Sequence, residues 1–353
     1  MSRGVHEAAA GQFVHGGPPL TLMLRLSRGT RWQRLALAAA AAALTVMAVA
    51  CGGDDQDVWS AQAIAESSEE AIALPIPLSS SLAVGQNRLV FGLLDRDQAM
   101  VSEASVSLRL YSLVEDADGS FSGVLSSEQD LRPVALEPES AIHVHSDGGR
   151  HDHAGSATTV FVASAEFTTG GWWGAELAVE TDGERADGLR MRLWVTDRTA
   201  EPMLGEQAPR STQRVLRDVQ DIAEIDTTDP PIPDLHLLTV AEALDRGRPL
   251  VIAFATPMFC QTRFCGPVIQ QVVRPLYERY GDRADFVHIE PFDIAEARGG
   301  RLVAVPQIAE WGLMTEPWVF VIDDSGRVVA KFEGITSLEE VSAALSPLVG
   351  AGP

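Results

Sequence analysis

Two cysteines separated by four residues are the side chains of this sequence best suited to covalent chemistry. Cys260 and Cys265 lie between an apolar stretch that predicts a strand, Pro249–Ala255, and a stretch with helical spacing of apolar residues, Pro267–Tyr280. A thiol near a helix N-terminus is stabilised as the thiolate, the nucleophile of disulfide exchange, and a second thiol can resolve the mixed disulfide. Because Pro267 suits the first helical position, we expect both cysteines before the helix, where a bridge can form. The pattern predicts a redox pair, with a structural disulfide and metal ligation as alternatives.

A short polar segment holds a second candidate site. Of the eight histidines in the chain, four fall within eleven residues: His143, His145, His151 and His153. The two His-x-His pairs flank an Asp-Gly-Gly turn, so they can meet across a hairpin, and imidazole suits copper and zinc. The four histidines are candidate ligands of copper or zinc, although the pattern favours the alternative, a solvated polar loop between strands, and no other cofactor is predicted. His288 is expected to pack within an apolar strand, and the sequence gives His236 no evident role.

The N-terminal segment has the features of a secretory signal peptide. Leu35–Ala50 is apolar except for Thr45 and follows four arginines between positions 25 and 34. The run is shorter than the ~20 residues that a membrane-spanning helix needs. Residues 1–50 are therefore predicted to hold a signal peptide whose true start is Met23, because the segment counted from Met23 has the length and order of one and the segment counted from Met1 is too long. The end of the run, Ala48-Val49-Ala50-Cys51, resembles a bacterial lipobox, which implies lipidation of Cys51 as the first mature residue.

Lipidation of Cys51 predicts the compartment and the redox environment. Acyl chains would anchor the chain at the cell membrane from the extracytoplasmic side, with residues 51–81 as a tether. Lipidation of Cys51 would also leave Cys260 and Cys265 as the only thiols of the chain, in an oxidising compartment where disulfides persist.

Short strands predominate from residue 82 to residue 197. Strands are predicted at Asn87–Leu94, Val106–Leu110, Val160–Phe167, Trp172–Glu180 and Leu189–Val195. Gly and Asp turns separate them, and no long helical period intervenes. This pattern predicts an all-β sandwich of immunoglobulin-like type. The Pro-rich segment that follows, residues 198–236, predicts an extended linker, with a single helix as an option at Val215–Ile225.

The C-terminal third, residues 237–350, alternates helices and strands in the order β-α-β-α-β-β-α, which predicts a parallel pair of strands followed by an antiparallel hairpin. The segment Phe254–Pro267 places the cysteines between the first strand and the first long helix, and Glu316-Pro317 opens a later strand. This arrangement resembles the thioredoxin-like fold. The resemblance implies thiol–disulfide exchange at Cys260 and Cys265, and a cis-proline at Pro317 that positions the substrate.

The sequence departs from the thioredoxin pattern at several points. The usual spacing is Cys-x-x-Cys, so either Cys260 or Cys265, which precedes Gly-Pro, can match the nucleophile. The strand Pro249–Ala255 lacks the buried acid that many thioredoxins carry, and Glu316 would oppose a thiolate if it lay near the sulfurs. Sco-type copper proteins also combine this fold with two thiols, so copper delivery is the runner-up function. An anchored protein with an inert disulfide is the third.

Charge excludes one class of partner. The net charge is -22, and the first 50 residues contribute five arginines against one acid, so the rest of the chain is more acidic still. Such a surface repels phosphate backbones and anionic lipid, which excludes nucleic acid and leaves the lipid anchor as the membrane contact. The predicted protein has two domains, a sandwich and a thioredoxin-like domain. Its predicted partners are the thiols of exported proteins.

Overall fold

A computed structural model describes residues 59–68, 71–137, 141–144, 150–153 and 157–350, the two four-residue segments by their backbone. In this part the chain is a mixed α/β protein, made mostly of strands, with several antiparallel sheets. The predicted signal peptide and Cys51 lie outside the described residues.

The first two sheets are antiparallel and have four strands each. The first has the order β1-β2-β8-β5 and comprises β1 (Leu74–Pro77), β2 (Gly85–Leu94), β5 (Arg132–Leu136) and β8 (Thr158–Phe167). The second has the order β10-β9-β3-β4 and comprises β3 (Ser105–Glu115), β4 (Phe121–Asp130), β9 (Gly171–Thr181) and β10 (Glu184–Val195). Alternate residues of both sheets, among them Phe91, Leu108 and Trp173, form one shared core. The five strands predicted from residues 87 to 195 are confirmed.

The third sheet has the order β12-β11-β13-β14 and carries helices between its strands. Its strands are β11 (Leu250–Phe254), β12 (Asp285–Ile289), β13 (Trp318–Ile322) and β14 (Val328–Glu333). Strands β11 and β12 are parallel, whereas β13 runs antiparallel to both β11 and β14, so the predicted final hairpin is confirmed. Every residue of β11, β12 and β13 is buried. Strands β11 and β13 are continuous apolar runs, as strands covered on both faces usually are, whereas β12 also buries Asp285 and His288.

The described helices are α1 (Ala61–Ser68), α2 (Val240–Asp245), α3 (Cys265–Val268), α4 (Arg274–Tyr280), α5 (Ile294–Arg298), α6 (Pro306–Glu310) and α7 (Leu338–Val349). Capping boxes begin α2 at Thr239 and α7 at Ser337. The single helix predicted at Pro267–Tyr280 is instead α3 and α4 joined by a π-helical segment, Ile269–Val273. Pro275 lacks the N–H group that a regular helical ladder needs at this point.

The segment predicted as a tether is folded where the structure describes it. It contributes α1 and the edge strand β1, which pairs with β2. Trp59, just before α1, is fully buried and packs against Tyr111, with ring centroids 5.1 Å apart. Burial of the Trp59 side chain stabilises this part of the chain in the fold, so the prediction of a tether over residues 51–81 is wrong for its described part.

The Pro-rich segment 198–236 also differs from the predicted linker. It packs along the third sheet through buried side chains such as Val215, Ile225 and Leu235. The expected single helix is replaced by two short 3-10 helices, Leu216–Asp218 and Ile222–Glu224, and a third, Pro233–His236, ends the segment. Composition indicated a spacer, but its backbone N–H groups bond to distant parts of the chain, those of Gly205 and Ala208 to the Val328 and Gly326 carbonyls and that of Thr227 to the Glu290 carboxylate.

The described residues belong to one compact unit, so the predicted division into two domains is not confirmed. The outer face of the first sheet contributes Val90, Val134 and Val162 to a cluster that also contains Cys265 and Val341. This cluster places the first sheet directly against the helices of the third.

Candidate functional site

The structure brings the two predicted cysteines together at the start of α3. Their Sγ atoms lie 2.6 Å apart. Cys265 is the first residue of α3 and is fully buried, so the expectation that both cysteines precede the helix is wrong for Cys265. Cys260 lies in the preceding loop and is half-buried. The bend of this loop turns Cys260 back toward the helix N-terminus, where the Cys265 N–H donates a hydrogen bond to Cys260 Sγ at 3.3 Å.

The two thiols differ strongly in acidity. The hydrogen bond from the Cys265 thiol lowers the pKa of Cys260 to about 5, against the opposing effect of burial and with help from Thr262. Burial raises the pKa of Cys265 far above its usual value, and the adjacent Cys260 sulfur raises it further. At neutral pH this arrangement favours a Cys260 thiolate next to a protonated Cys265.

The loop that carries Pro317 lies against the cysteine loop. The Glu316–Pro317 peptide bond is cis, as the resemblance implied. Thr262 Oγ1 donates to the Glu316 carbonyl oxygen at 3.3 Å, and the Gln261 N–H donates to Glu316 Oε1 at 3.4 Å. Burial raises the pKa of Glu316, and the nearby Cys260 sulfur adds to that rise. The loop that carries Glu316 and Pro317 therefore lies against the loop that carries Cys260, which brings the predicted site residues Cys260, Cys265 and Pro317 into one region of the fold.

The sequence places no acid on β11, the strand that carries a buried acid in many thioredoxins. The structure instead buries a carboxyl group directly after the neighbouring strand, β12. Glu290 follows β12 and is buried. Its Oε1 accepts hydrogen bonds from the Thr227 N–H at 2.7 Å and the Thr227 hydroxyl at 2.6 Å, whereas Oε2 has no partner among the described residues. Burial raises the pKa of Glu290. Thr227 Oγ1 also accepts from the Met258 N–H, which ties this group to the cysteine loop.

Three further buried side chains meet where the Pro-rich segment 198–236 contacts strand β12. His236 Nε2 lies 3.2 Å from Asp226 Oδ2 and 3.2 Å from His288 Nδ1, and His288 Nδ1 lies 3.8 Å from Asp226 Oδ1. All three side chains are at most 2% exposed. Sequence reasoning missed this triad, since it expected His288 to pack in its strand and gave His236 no role.

The electrostatics of the triad favour an anionic carboxylate beside neutral imidazole. Burial would raise the pKa of Asp226, but the hydrogen bond with His236 and the proximity of His288 outweigh it, so the pKa lies well below its usual range. Burial lowers the pKa of His236, although Asp226 opposes that effect. Among the described residues, the ligand atoms that cluster within 4.8 Å are those of this triad, and the cluster contains no cysteine.

The histidine-rich segment forms the backbone hairpin on which the predicted metal site depends. Strand β6 (Ala141–Val144) pairs antiparallel with β7 (Arg150–His153), and the register places His143 opposite His151 and Ala141 opposite His153. His145 lies outside the described residues. Metal binding by His143, His145, His151 and His153 stays a prediction.

Two findings bear on the remaining predictions. In the described ranges, no helix combines the length and the apolar character that crossing a bilayer requires. Compared with known proteins, the chain matches no protein-family model and no curated protein.

Proposed function

We propose that the chain is a membrane-anchored, extracytoplasmic thiol–disulfide oxidoreductase that acts on exported proteins through Cys260 and Cys265. The observation that carries this proposal is the pair of sulfurs 2.6 Å apart, one with a lowered pKa and partly accessible, the other buried and protonated. Disulfide exchange needs this asymmetry, because one thiol attacks as the thiolate and the other waits as the resolving group.

The arrangement of elements supports the same proposal. Strand order β12-β11-β13-β14, a parallel first pair and a cis-proline before β13 are features of the thioredoxin-like fold that the sequence resembles. The two face-to-face antiparallel sheets that precede it are consistent with an immunoglobulin-like sandwich. In this interpretation the sandwich presents the redox region of the chain to its clients.

The proposed reaction has two exchange steps. The Cys260 thiolate attacks one sulfur of a client disulfide, so a mixed disulfide forms and the other client sulfur leaves as a thiolate, which takes up a proton. Cys265 then loses its proton and attacks Cys260 Sγ, which forms the internal disulfide and releases the second client thiolate. The client gains two electrons and the pair is oxidised. The reverse sequence transfers the disulfide to a client dithiol, and a partner dithiol or disulfide resets the pair.

The Glu316 carboxylate tunes this pair in the proposal. It lies beside the Cys260 loop, and a negative charge there destabilises a thiolate. The carboxyl at Glu316 therefore limits how far the Cys260 thiolate is favoured. The cis peptide at Pro317 leaves the neighbouring backbone open to a client strand, as the resemblance implies.

Lipidated Cys51 supplies the membrane anchor in the proposal. Replacing it (Cys51→Ser) is expected to move the mature chain from the membrane fraction to the soluble fraction, since the acyl chains are the proposed contact. Fractionation followed by mass spectrometry of the N-terminus checks this. Retention of the Cys51→Ser chain at the membrane would contradict the anchor without affecting the redox proposal.

Trapping of mixed disulfides tests the redox function. Cys265→Ser keeps the attacking thiol and removes the resolving one, so it is expected to accumulate client adducts that reducing agent releases. Cys260→Ser is the matched control and is expected to trap few or none. If neither variant traps clients and both only lower the melting temperature, the bridge is structural. If the reduced protein instead binds one copper ion through both sulfurs, the Sco-like alternative applies.

A further inference from the structure

We propose that Asp226, His236 and His288 form a binding site for a divalent transition metal, with zinc as the ion that fits the donor set best. The three residues come from separate parts of the chain, namely the Pro-rich segment, its last 3-10 helix and strand β12. The site is distinct from the cysteine pair and from the histidine-rich hairpin.

The spacing of the donor atoms matches tetrahedral coordination. Bonds of ~2.0–2.2 Å to Zn²⁺ place tetrahedral ligand atoms ~3.3–3.6 Å from one another. In the triad His236 Nε2 lies 3.2 Å from His288 Nδ1 and 3.2 Å from Asp226 Oδ2, and the other carboxylate oxygen, Asp226 Oδ1, lies 3.8 Å from His288 Nδ1. With one donor atom from each residue, all three lie within 4.8 Å of one another. Hydrogen bonds can also link the three groups at these distances. Metal binding therefore has to be measured to distinguish a metal site from a hydrogen-bond network.

Surrounding hydrogen bonds hold two of the three donor groups, the His288 imidazole and the Asp226 carboxylate, in place. His288 Nε2 lies 2.8 Å from the Ala255 carbonyl oxygen, which can only accept, so Nε2 carries the proton and Nδ1 presents a lone pair to His236. Asp226 Oδ1 accepts from the Thr228 N–H and hydroxyl, and Oδ2 accepts from the Ile232 N–H. A ligand imidazole that donates its other N–H to a carbonyl, and a ligand carboxylate held by further donors, are the usual outer contacts of a metal centre.

A cleft gives the site an approach and a place for a fourth ligand. The cleft has a volume of about 290 Å³, and both His236 and His288 line it. The Glu290 side chain lines the same cleft, and its Oε2 atom is buried without a hydrogen-bond partner in the described part of the chain. Water or a small anionic ligand can complete a site that the protein itself supplies with three donors.

The donor types select the class of metal. Two imidazoles and one carboxylate suit zinc and its first-row neighbours, whereas calcium and magnesium require oxygen donors and copper(I) prefers sulfur. Bound metal would fasten the Pro-rich segment to β12. Since Thr227 follows Asp226 directly and holds the Met258 backbone, the metal would also stiffen the base of the cysteine loop.

Cobalt binding to a chain with only these two histidines tests the proposal. The other six histidines are replaced by Gln and Cys51 by Ser, and the Cys260–Cys265 pair is kept oxidised, so that His236 and His288 are the only imidazoles. We expect one equivalent of Co²⁺ to bind with the intense visible absorption of tetrahedral coordination, and Zn²⁺ to displace it. X-ray absorption of the zinc form is expected to count two imidazoles.

Variants supply the second arm of the test. Asp226→Asn and His288→Gln are each expected to weaken Co²⁺ binding by about 100-fold or more, because loss of a ligand exceeds the loss of an outer contact. Asp234→Asn is the matched control, an exposed acid in the same 3-10 helix as His236, and is expected to bind as the parent does. A parent chain that binds no metal tighter than about 10⁻⁵ M, or a spectrum without imidazole, would overturn the site and leave a hydrogen-bond network.

Discussion

Cys260 and Cys265 owe their difference in acidity to where each sulfur lies relative to the helix end. Cys265 is the first residue of α3 and lies in the apolar cluster between the first sheet and the helices of the third. A charged Cys265 sulfur would therefore have no contact with solvent. Cys260 stands outside the helix and receives hydrogen bonds from the Cys265 thiol and backbone. The same contacts that stabilise a thiolate on Cys260 therefore keep the proton on Cys265.

Alkylation of the reduced protein as a function of pH measures this difference directly. Since the thiolate is the nucleophile, the rate at Cys260 is expected to rise with a midpoint at about pH 5, while Cys265 stays unmodified through neutral pH. Peptide mass mapping after iodoacetamide treatment separates the two sites.

The matched variant for this titration is Cys265→Ala, which removes the donor thiol. The Cys260 midpoint is then expected to move toward the ~8.5 of an ordinary cysteine. A wild-type midpoint already near that value would show that the hydrogen bond does not activate Cys260.

Local sequence pointed to the cysteine pair as a candidate site, and the resemblance to the thioredoxin-like fold added Pro317, whereas the triad of Asp226, His236 and His288 was missed. Cys260 and Cys265 are near each other in sequence and adjoin a recognisable strand and helix, and Pro317 opens a strand. Asp226, His236 and His288 have no spacing signature, since strand pairing and the path of the Pro-rich segment bring them together. His288 is a single histidine in a strand that is otherwise largely apolar, so the sequence predicted that it simply packs in the core. No nearby residue pointed to Asp226 or His236 as its partners.

At the scale of elements, the Pro-rich segment is the feature that most affects the site. Asp226, Thr227 and Thr228 are buried, and Thr227 joins Glu290 on one side to the Met258 backbone on the other. The cysteine loop thus rests on a segment that is distant in sequence from α3. We expect the rigidity of the cysteine loop to depend on these few hydrogen bonds.

Replacement of the Thr227 hydroxyl tests that dependence. Thr227→Val removes the donor to Glu290 and the acceptor of the Met258 N–H while keeping the shape, so the free energy of unfolding is expected to fall by about 1–3 kcal/mol. Amide hydrogen exchange in the cysteine loop is expected to accelerate.

The control for Thr227→Val is Thr212→Val, at an exposed position of the same segment, which is expected to change stability by less than ~0.5 kcal/mol. Denaturant unfolding and hydrogen exchange measure both variants. Equal exchange of the loop in the two proteins would show that Thr227 does not hold it.

Elements with clear apolar patterns were predictable, and those without were not. Strands β2, β8 and β11 carry apolar runs, and β3 and β10 alternate, so each was predicted close to its observed position. Strand β4 has mostly exposed, polar residues and was missed, because its place in the sheet is set by pairing with β3. The Pro-rich segment was predicted as a spacer because composition does not record the long-range bonds that order it.

At the scale of the whole molecule, a charged contact joins the first sheet to the third. Arg88 of β2 donates to both carboxylate oxygens of Glu340 in α7, at 2.9 Å each, and to the Ile335 carbonyl at 2.7 Å. The side chains of Arg88 and Glu340 are only 13% and 8% exposed. Since Glu340 also completes the capping box at Ser337, the same carboxylate serves the helix and the contact between sheets.

Loss of one partner of this buried pair is expected to be costly. Arg88→Met keeps most of the side-chain volume but leaves Glu340 with the half-exposed Arg132 as its remaining ion-pair partner among the described residues. The free energy of unfolding is expected to fall by about 3–5 kcal/mol at neutral pH. Arg210→Met, whose ion-pair partner Asp245 is exposed, is the matched control and is expected to change stability far less.

The pH dependence of stability distinguishes the charge of this pair from its packing. Burial would raise the pKa of Glu340, but Arg88 and Arg132 outweigh it and hold the pKa below its usual range. A carboxyl with a lowered folded-state pKa stabilises the fold above its unfolded value of ~4.3, and the gain is lost as the pH falls through the folded value. Arg88→Met removes that gain, so the stability difference from wild type is expected to narrow as the pH falls below ~4.3. Denaturant unfolding across pH 7 to 3 measures it, and a constant difference would assign the effect of Arg88 to packing and not to its charge.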